Sequence, residues 1–157
     1  MTLNEKIVQV AMACIGTQEG TDRHKTILDI YNQYEDKSKR IYTVKATDPW
    51  CAAFVSAVFI AAGIPKKIPI ECSCFFMKNM GAAIGMLRDP ARYVPKPGDI
   101  VFYKWQGKNV VSHVGIVKSV QGSALEVIEG NYNNAVGIRK TKLSNPAIDS
   151  YLEVNYT

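Results

Sequence analysis

Histidine and cysteine are scarce in this chain, and the cysteines lack the spacing of a metal site. The 157 residues include two histidines and four cysteines. No Cys-x-x-Cys pair occurs, which argues against a structural zinc site. Cys72 and Cys74 stand too close in sequence to join easily within regular structure, so we do not expect a disulfide scaffold. Any mechanism that needs a histidine must use His24 or His113.

A long hydrophobic run is also lacking. The most apolar stretch, residues 50–64, is shorter than the roughly 20 residues that span a bilayer. The N-terminus has no basic segment followed by an apolar segment and a small-residue cleavage site, as a signal peptide would have. We therefore expect a soluble protein without a membrane span, which is cytoplasmic when made or exported by another route.

Basic residues exceed acidic ones only slightly. The chain has 19 Lys and Arg against 14 Asp and Glu, a net charge of +5, and its longest basic run is residues 37–40. This scatter argues against nucleic acid as a partner. It fits an anionic partner, such as a cell-wall polymer, or a solvated and slightly basic surface. Length and an ordinary 47% hydrophobic content indicate one globular domain, residues 1–157.

A change of periodicity divides the chain into two parts. Apolar residues recur at helical spacing in the first part and alternate with period two from Pro95 onward. The expected helices cover residues 2–15, 21–34, 48–62 and 73–86. The expected strands cover residues 99–103, 113–120, 124–129, 136–143 and 150–154. Helices followed by an antiparallel meander predict the α+β class.

Cys51 is the candidate nucleophile. Asp48 is a good N-cap and Pro49 suits the first helical position, so Cys51 is expected as the third residue of a buried helix. Unpaired backbone N–H groups at a helix N-terminus favour a thiolate, which is the nucleophilic form. The alternative is a small buried core residue. The other cysteines are expected to be core residues of that kind: Cys14, Cys72 and Cys74.

His113 is the candidate base. It begins a predicted strand, and Gly115 shares its face and leaves room beside the ring. His24 lies between charged residues at a helix start, so we expect it to be exposed and its replacement by alanine to have little effect.

Glu129 is the candidate third member, on the strand after that of His113. A three-residue turn would place Asn131 opposite His113 and Glu129 diagonally across on the same face. A register shift of two would place Glu129 directly opposite, and a shift of one would separate the two side chains. A thiol, a base and an orienting carboxylate form a triad that needs no metal.

Four motifs in order resemble the CHAP family of cysteine- and histidine-dependent amidohydrolases/peptidases. They are DPWCAAFVSAVFIAAGIP, PKPGDIVFY, SHVGIV and VIEGN, and the resemblance spans residues 47–131. It implies a papain-like fold and cleavage of peptidoglycan, at the N-acetylmuramoyl-L-alanine amide or within the stem peptide or cross-bridge. It also implies a nucleophile, a general base, an orienter and a fourth member: Cys51, His113, Glu129 and Asn131. Trp50 and Gly115 are further candidates for substrate contact.

Two departures qualify this resemblance. Some CHAP lysins carry an acidic calcium loop before the cysteine, whereas EDKSKRIYTVKATDPWC has no clustered aspartates, so we expect no metal and no cofactor. The related NlpC-type endopeptidases usually show Asp-Cys-Ser-Gly at the nucleophile, whereas this chain has Trp50-Cys51-Ala52. No wall-binding module is expected, because the catalytic domain accounts for the whole chain.

The expected partner is bacterial peptidoglycan, and the protein is expected to be a monomer that acts outside the cytoplasm. Three functions stay open: a hydrolase, a papain-like acyltransferase or deamidase acting on protein, and a non-catalytic wall-binding domain. Compatible export routes are phage release, delivery by a secretion system, or a mature chain whose signal has been removed. A secreted effector would also have an immunity protein as partner.

Overall fold

The computed structural model describes residues 1–36 and 42–157, so the basic run at 37–40 lies outside the described residues. The helices are α1 (Leu3–Ala13), α2 (Asp22–Asn32), α3 (Cys51–Ala61) and α4 (Cys74–Ala83), with a 3-10 turn at Pro65–Lys67. The strands are β1 (Leu87–Arg88), β2 (Ile100–Tyr103), β3 (His113–Gln121), β4 (Ala124–Tyr132), β5 (Ala135–Lys142) and β6 (Ile148–Leu152). No described helix has the length and apolarity needed to cross a membrane.

The strands form one antiparallel sheet in the order β1-β6-β2-β3-β4-β5. Helix α3 is apolar on almost every side, and it packs between α2 and the central strands β3 and β4. This arrangement confirms the predicted α+β class. The last strand is β6 at Ile148–Leu152, two residues earlier than predicted.

Polar side chains begin three of these helices. Thr2 and Glu5 form the reciprocal capping box that the sequence predicts for α1. Thr21 accepts from a backbone N–H of the first turn of α2, and Ser73 does so for α4.

Helix α3 begins later than predicted. The side chain of Asp48 accepts hydrogen bonds from the backbone N–H of Lys45 (2.8 Å) and from the Tyr42 hydroxyl (2.9 Å), so it closes a turn instead of capping the helix. Trp50 holds the N-cap position without a side-chain cap. Cys51 is therefore the first residue of α3 and not the third. Its backbone and thiol lie even closer to the positive end of the helix.

The β3–β4 hairpin has the predicted register near His113, but its turn differs from the prediction. Its turn has two residues, with Gln121 paired to Ala124, which is one residue out of the predicted register. A bulge at Lys118 adds one residue to β3 and restores the predicted register farther along. His113 and Glu129 therefore lie on the same face of the sheet, because the turn and the bulge offset each other.

His24 is buried, which contradicts its predicted exposure. Its side chain is 1% exposed, and its Nδ1 accepts a hydrogen bond from the backbone N–H of Gly20 (3.0 Å). Its ring centroid lies 4.4 Å from that of Trp50, whose indole N–H donates to Glu19 (2.8 Å). The charged residues beside His24 in sequence misled the prediction, since the helix turns this ring inward onto the segment that leads to Cys51.

Candidate active site

Cys51 lies at a cleft where two helices begin. Its side chain is only 4% exposed, and α4 begins at Cys74 on the other side of the cleft. The cleft is formed by the segments before α3, α4 and β3, with these residues along it: Tyr42, Val44, Asp48, Pro49, Cys51, Cys72, Ser73, Cys74, Phe75, Val111 and Ser112. A substrate that enters the cleft therefore reaches the first turn of α3.

The His113 ring is held by groups on both sides. Its Nε2 lies 2.8 Å from Oε1 of Glu129, across the β3–β4 hairpin. Tyr103, its cross-strand partner on β2, has its ring centroid 5.8 Å away, and the Trp105 centroid is 6.0 Å away. Because Nε2 is engaged by Glu129, Nδ1 is the nitrogen available to the Cys51 thiol.

The Cys51 thiol and the His113 imidazole shift each other's pKa toward the charged forms. Hydrogen bonding from Cys74 lowers the pKa of Cys51 well below that of an ordinary thiol, against the effect of burial, and His113 lowers it further. Burial alone would lower the pKa of His113, but its hydrogen bonds with Cys51 and Glu129 raise that pKa to about 9. Both shifts favour a thiolate on Cys51 beside an imidazolium on His113.

Cys74 contacts Cys51, although the sequence predicts it to be a core residue. Its Sγ lies 3.4 Å from Sγ of Cys51, and both cysteines are reduced. Because Cys51 also faces His113, we assign the thiolate to Cys51 and the donated S–H to Cys74, whose pKa is raised well above the ordinary value by this hydrogen bond. The capping signal at Ser73, which starts α4 at Cys74, was present in the sequence.

Glu129 is fully buried and has a second partner that the sequence reasoning missed. Arg139 on β5 donates from Nε to Oε1 (3.0 Å) and to Oε2 (2.9 Å) of Glu129. Burial raises the pKa of Glu129, but the hydrogen bonds from His113 and Arg139 outweigh it and hold the pKa below the usual carboxyl value. The available signal was a basic residue on the next predicted strand, where alternation places it on the face of Glu129.

Asn131 and Trp50 are two further candidates from the sequence. Asn131 is half-buried in a bulge of β4 with φ +57°, while the ring Nε2 of His113 is engaged by Glu129. The Trp50 side chain is fully buried against His24, which indicates packing and not substrate contact.

Gly115 leaves room for Glu129 and not for a substrate. A Cβ at this position would lie 2.5 Å from Cγ1 of Val127 and 2.7 Å from Cγ of Glu129. The space that Gly115 leaves is thus filled by the side chains of Val127 and Glu129.

Metal ligands are not grouped in the described part of the chain. Within residues 1–36 and 42–157, no three His, Cys, Asp or Glu side chains are placed to hold a metal ion. Part of the segment compared with calcium loops, residues 37–41, lies outside the described residues.

Helices packed on an antiparallel sheet, with a cysteine at a helix start beside a strand histidine, define the papain-like class. The chain belongs to the CHAP domain family, whose sequence model matches residues 43–131, more than half of its length. This membership supports a peptidoglycan hydrolase. A comparison with curated protein sequences found no match.

Solved structures with the same fold cover almost the whole chain. NlpC1 from Trichomonas vaginalis is 12% identical over 98% of this chain and 44% of its own, with a TM-score of 0.53. Ly7917 is 16% identical over 98% and 63%, with a TM-score of 0.55. An N-acetylmuramoyl-L-alanine amidase from Bacteroides uniformis is 12% identical over 98% and 99%, with a TM-score of 0.54. The chain spans less than two thirds of the length of the first two, and these identities show the fold alone.

Proposed function

We propose that this protein hydrolyses an amide or peptide bond of peptidoglycan with Cys51 as nucleophile, His113 as general base and acid, and Glu129 as orienter. The observation that carries the proposal is the meeting of these groups at the cleft: a thiol at the start of α3 beside an imidazole whose Nε2 is 2.8 Å from a buried carboxylate. Family membership supports peptidoglycan as the substrate.

The first half of the reaction forms a thioester. The Cys51 thiolate attacks the carbonyl carbon of the scissile amide, and the negative oxygen that develops faces the N–H groups of the first turn of α3. The His113 imidazolium then donates its Nδ1 proton to the leaving nitrogen, so the C–N bond breaks as an amine departs. Glu129 stabilises the imidazolium before this transfer and keeps the ring aimed at the thiol.

The second half releases the acid. A water molecule attacks the thioester carbonyl while neutral His113 accepts its proton at Nδ1. The C–S bond breaks and Cys51 leaves as a thiolate, which restores the thiolate–imidazolium pair.

Purified wall sacculi incubated with the protein test this function, with mass spectrometry of the released fragments. Stem peptides freed from the sugar chain indicate an N-acetylmuramoyl-L-alanine amidase, and new amino termini within the peptide indicate an endopeptidase. New cross-links would indicate acyl transfer. Co-sedimentation without products would indicate a binding domain and would contradict the proposal.

Cysteine variants separate catalysis from contamination and from misfolding. Cys51→Ala should release no fragments, because the nucleophilic atom is absent. Cys14→Ala is the matched control, since that thiol lies at the C-cap of α1, outside the cleft, and donates to the carbonyl of Val10. Equal loss of activity in both variants would show that Cys51 is misassigned.

A further inference from the structure

The Arg139 guanidinium occupies a cage of three aromatic rings behind the catalytic histidine. Its central carbon lies 4.8 Å from the ring centroid of Tyr132, 4.9 Å from that of Trp105 and 5.4 Å from that of Tyr103. Each ring presents negative charge density to the cation. Tyr103 and Trp105 also contact the ring of His113, so the same aromatic cage borders both cations that meet Glu129.

The three aromatic rings fix the position of the Arg139 guanidinium. The guanidinium in turn fixes the position of the Glu129 carboxylate through its hydrogen bonds. A planar guanidinium between aromatic faces has few orientations, unlike a lysine ammonium on its flexible stem. Arg139 bonds both carboxylate oxygens through Nε, while the remaining contact of Oε1 goes to His113. Removal of this guanidinium would leave a fully buried carboxylate without its permanently charged partner, an arrangement that favours protonation.

We propose that Arg139 is a positioning residue of the active site, which keeps Glu129 ionised and aimed at Nε2 of His113. This inference rests on the proposed function. The titratable groups that face Glu129 are His113 on β3, Arg139 on β5 and Tyr103 on β2. A protonated Glu129 would donate to Nε2 and leave the proton of the neutral ring on Nδ1, toward Cys51. The ring could then no longer accept the thiol proton.

The test measures the ion pair itself, through the rate of alkylation of Cys51 by iodoacetamide between pH 4 and pH 10. Peptide mass spectrometry distinguishes Cys51 from the other three cysteines. In the wild type, rapid alkylation should persist well below neutral pH. Arg139→Met keeps a long apolar side chain for the cage but removes the charge, and we expect its alkylation rate at pH 6 to fall about tenfold or more.

Two further variants test whether the change in alkylation rate comes from the charge at position 139. Arg139→Lys restores the charge without the planar group, so its profile should lie between those of the wild type and Arg139→Met. Lys140→Met is the matched control, because it removes the same charge from the adjacent exposed position of β5. Lys140→Met should alkylate as the wild type does. A folded Arg139→Met protein with the wild-type alkylation profile would overturn the inference.

A double variant keeps the test decisive if Arg139→Met does not fold. Glu129→Gln/Arg139→Met removes both buried charges, and its alkylation profile should match that of Glu129→Gln alone. A further shift in the double variant would show that Arg139 does not act through Glu129, and would overturn the inference. Because alkylation needs no wall substrate, a protein that shows these profiles but releases no wall fragments would contradict the proposed function only.

Discussion

Two residues of β4, Glu129 and Asn131, are candidates for the role of orienting the His113 ring. Glu129 is within 2.8 Å of the ring that it would orient, whereas Asn131 lies half-buried in the bulge beyond it. We expect Glu129→Gln to fold and to lose much of its wall-lysing rate, because a neutral amide stabilises the imidazolium less. In the serine-protease triad, replacement of the orienting Asp by Asn lowers kcat about 10⁴-fold.

Asn131→Ala is the comparison for this prediction. Both variants are assayed for release of wall fragments, with circular dichroism as the folding control. A crippled Asn131→Ala beside a fully active Glu129→Gln would assign the orienting role to Asn131.

The ion pair predicts how the rate depends on pH. In the proposed mechanism, the active form has a thiolate on Cys51 and a proton on His113, whose pKa is raised to about 9 by its hydrogen bonds with Cys51 and Glu129. The value of kcat/KM on a soluble wall fragment should therefore stay level through neutral pH and fall with a midpoint near pH 9. In Glu129→Gln this midpoint should move to lower pH. A rate that keeps rising above pH 9 would contradict an imidazolium as the proton donor.

Single residues were predictable where a local pattern carried their chemistry. Cys51 had a helix-start signal and His113 opened an alternating strand, and the structure brings both to one site. Cys74 and Arg139 reach the site only through tertiary contacts, across the cleft and across a strand pair. His24 shows the reverse error, since charged neighbours in sequence do not set the direction of a side chain on a helix.

At the scale of elements, helix α3 and strand β4 must approach closely for Cys51 and Glu129 to serve one site. Gly130 permits this approach, because a Cβ there would lie 2.5 Å from Cβ of Phe54, one turn after Cys51. Gly130→Ala should push α3 away from β4. We expect a rate loss on the order of 10²-fold, since misplacement of reacting groups by about 1 Å has such an effect.

Gly81→Ala is the matched control for this variant. Its Cβ would meet Cδ2 of Leu152 at 2.5 Å, but that atom is the far end of a flexible side chain. Alanine also favours the helix interior by about 1 kcal/mol. Release of wall fragments and the melting temperature are measured for both variants. A Gly130→Ala protein with the wild-type rate would show that the spacing of α3 and β4 is not limiting.

Strand pairing shows why element geometry is only partly readable from sequence. Alternation predicted both strands of the β3–β4 hairpin and placed Glu129 and His113 on one face. It did not predict the two-residue turn or the bulge at Lys118, each of which alone would have put them on opposite faces. Bulges respond to twist and to packing on both faces of the sheet, and these are properties of the assembled molecule.

At the scale of the whole molecule, the buried ring of His24 links stability to pH. Burial lowers the pKa of His24, against an opposing effect of Glu19, and its Nε2 has no hydrogen-bond partner among the described residues. The unfolded chain therefore binds a proton more readily than the folded one. Stability from this group is present above the ordinary histidine pKa of about 6.5 and is lost as pH falls through the lower folded value.

Comparison of His24→Phe with the wild type isolates this effect. Phenylalanine keeps the ring against Trp50 but does not titrate, so the free energy of unfolding should fall less between pH 8 and pH 5 than it does in the wild type. The difference should approach about 1.4 kcal/mol per pH unit at most, the value for one proton. His113 acts in the opposite direction, because its raised pKa stabilises the fold at low pH, but it does so equally in both proteins. His24→Ala should lose about 2 kcal/mol or more at pH 8, because it leaves a cavity beside Trp50. Urea unfolding at both pH values measures all three proteins, and an equal fall with pH in His24→Phe and the wild type would show that His24 does not titrate with unfolding.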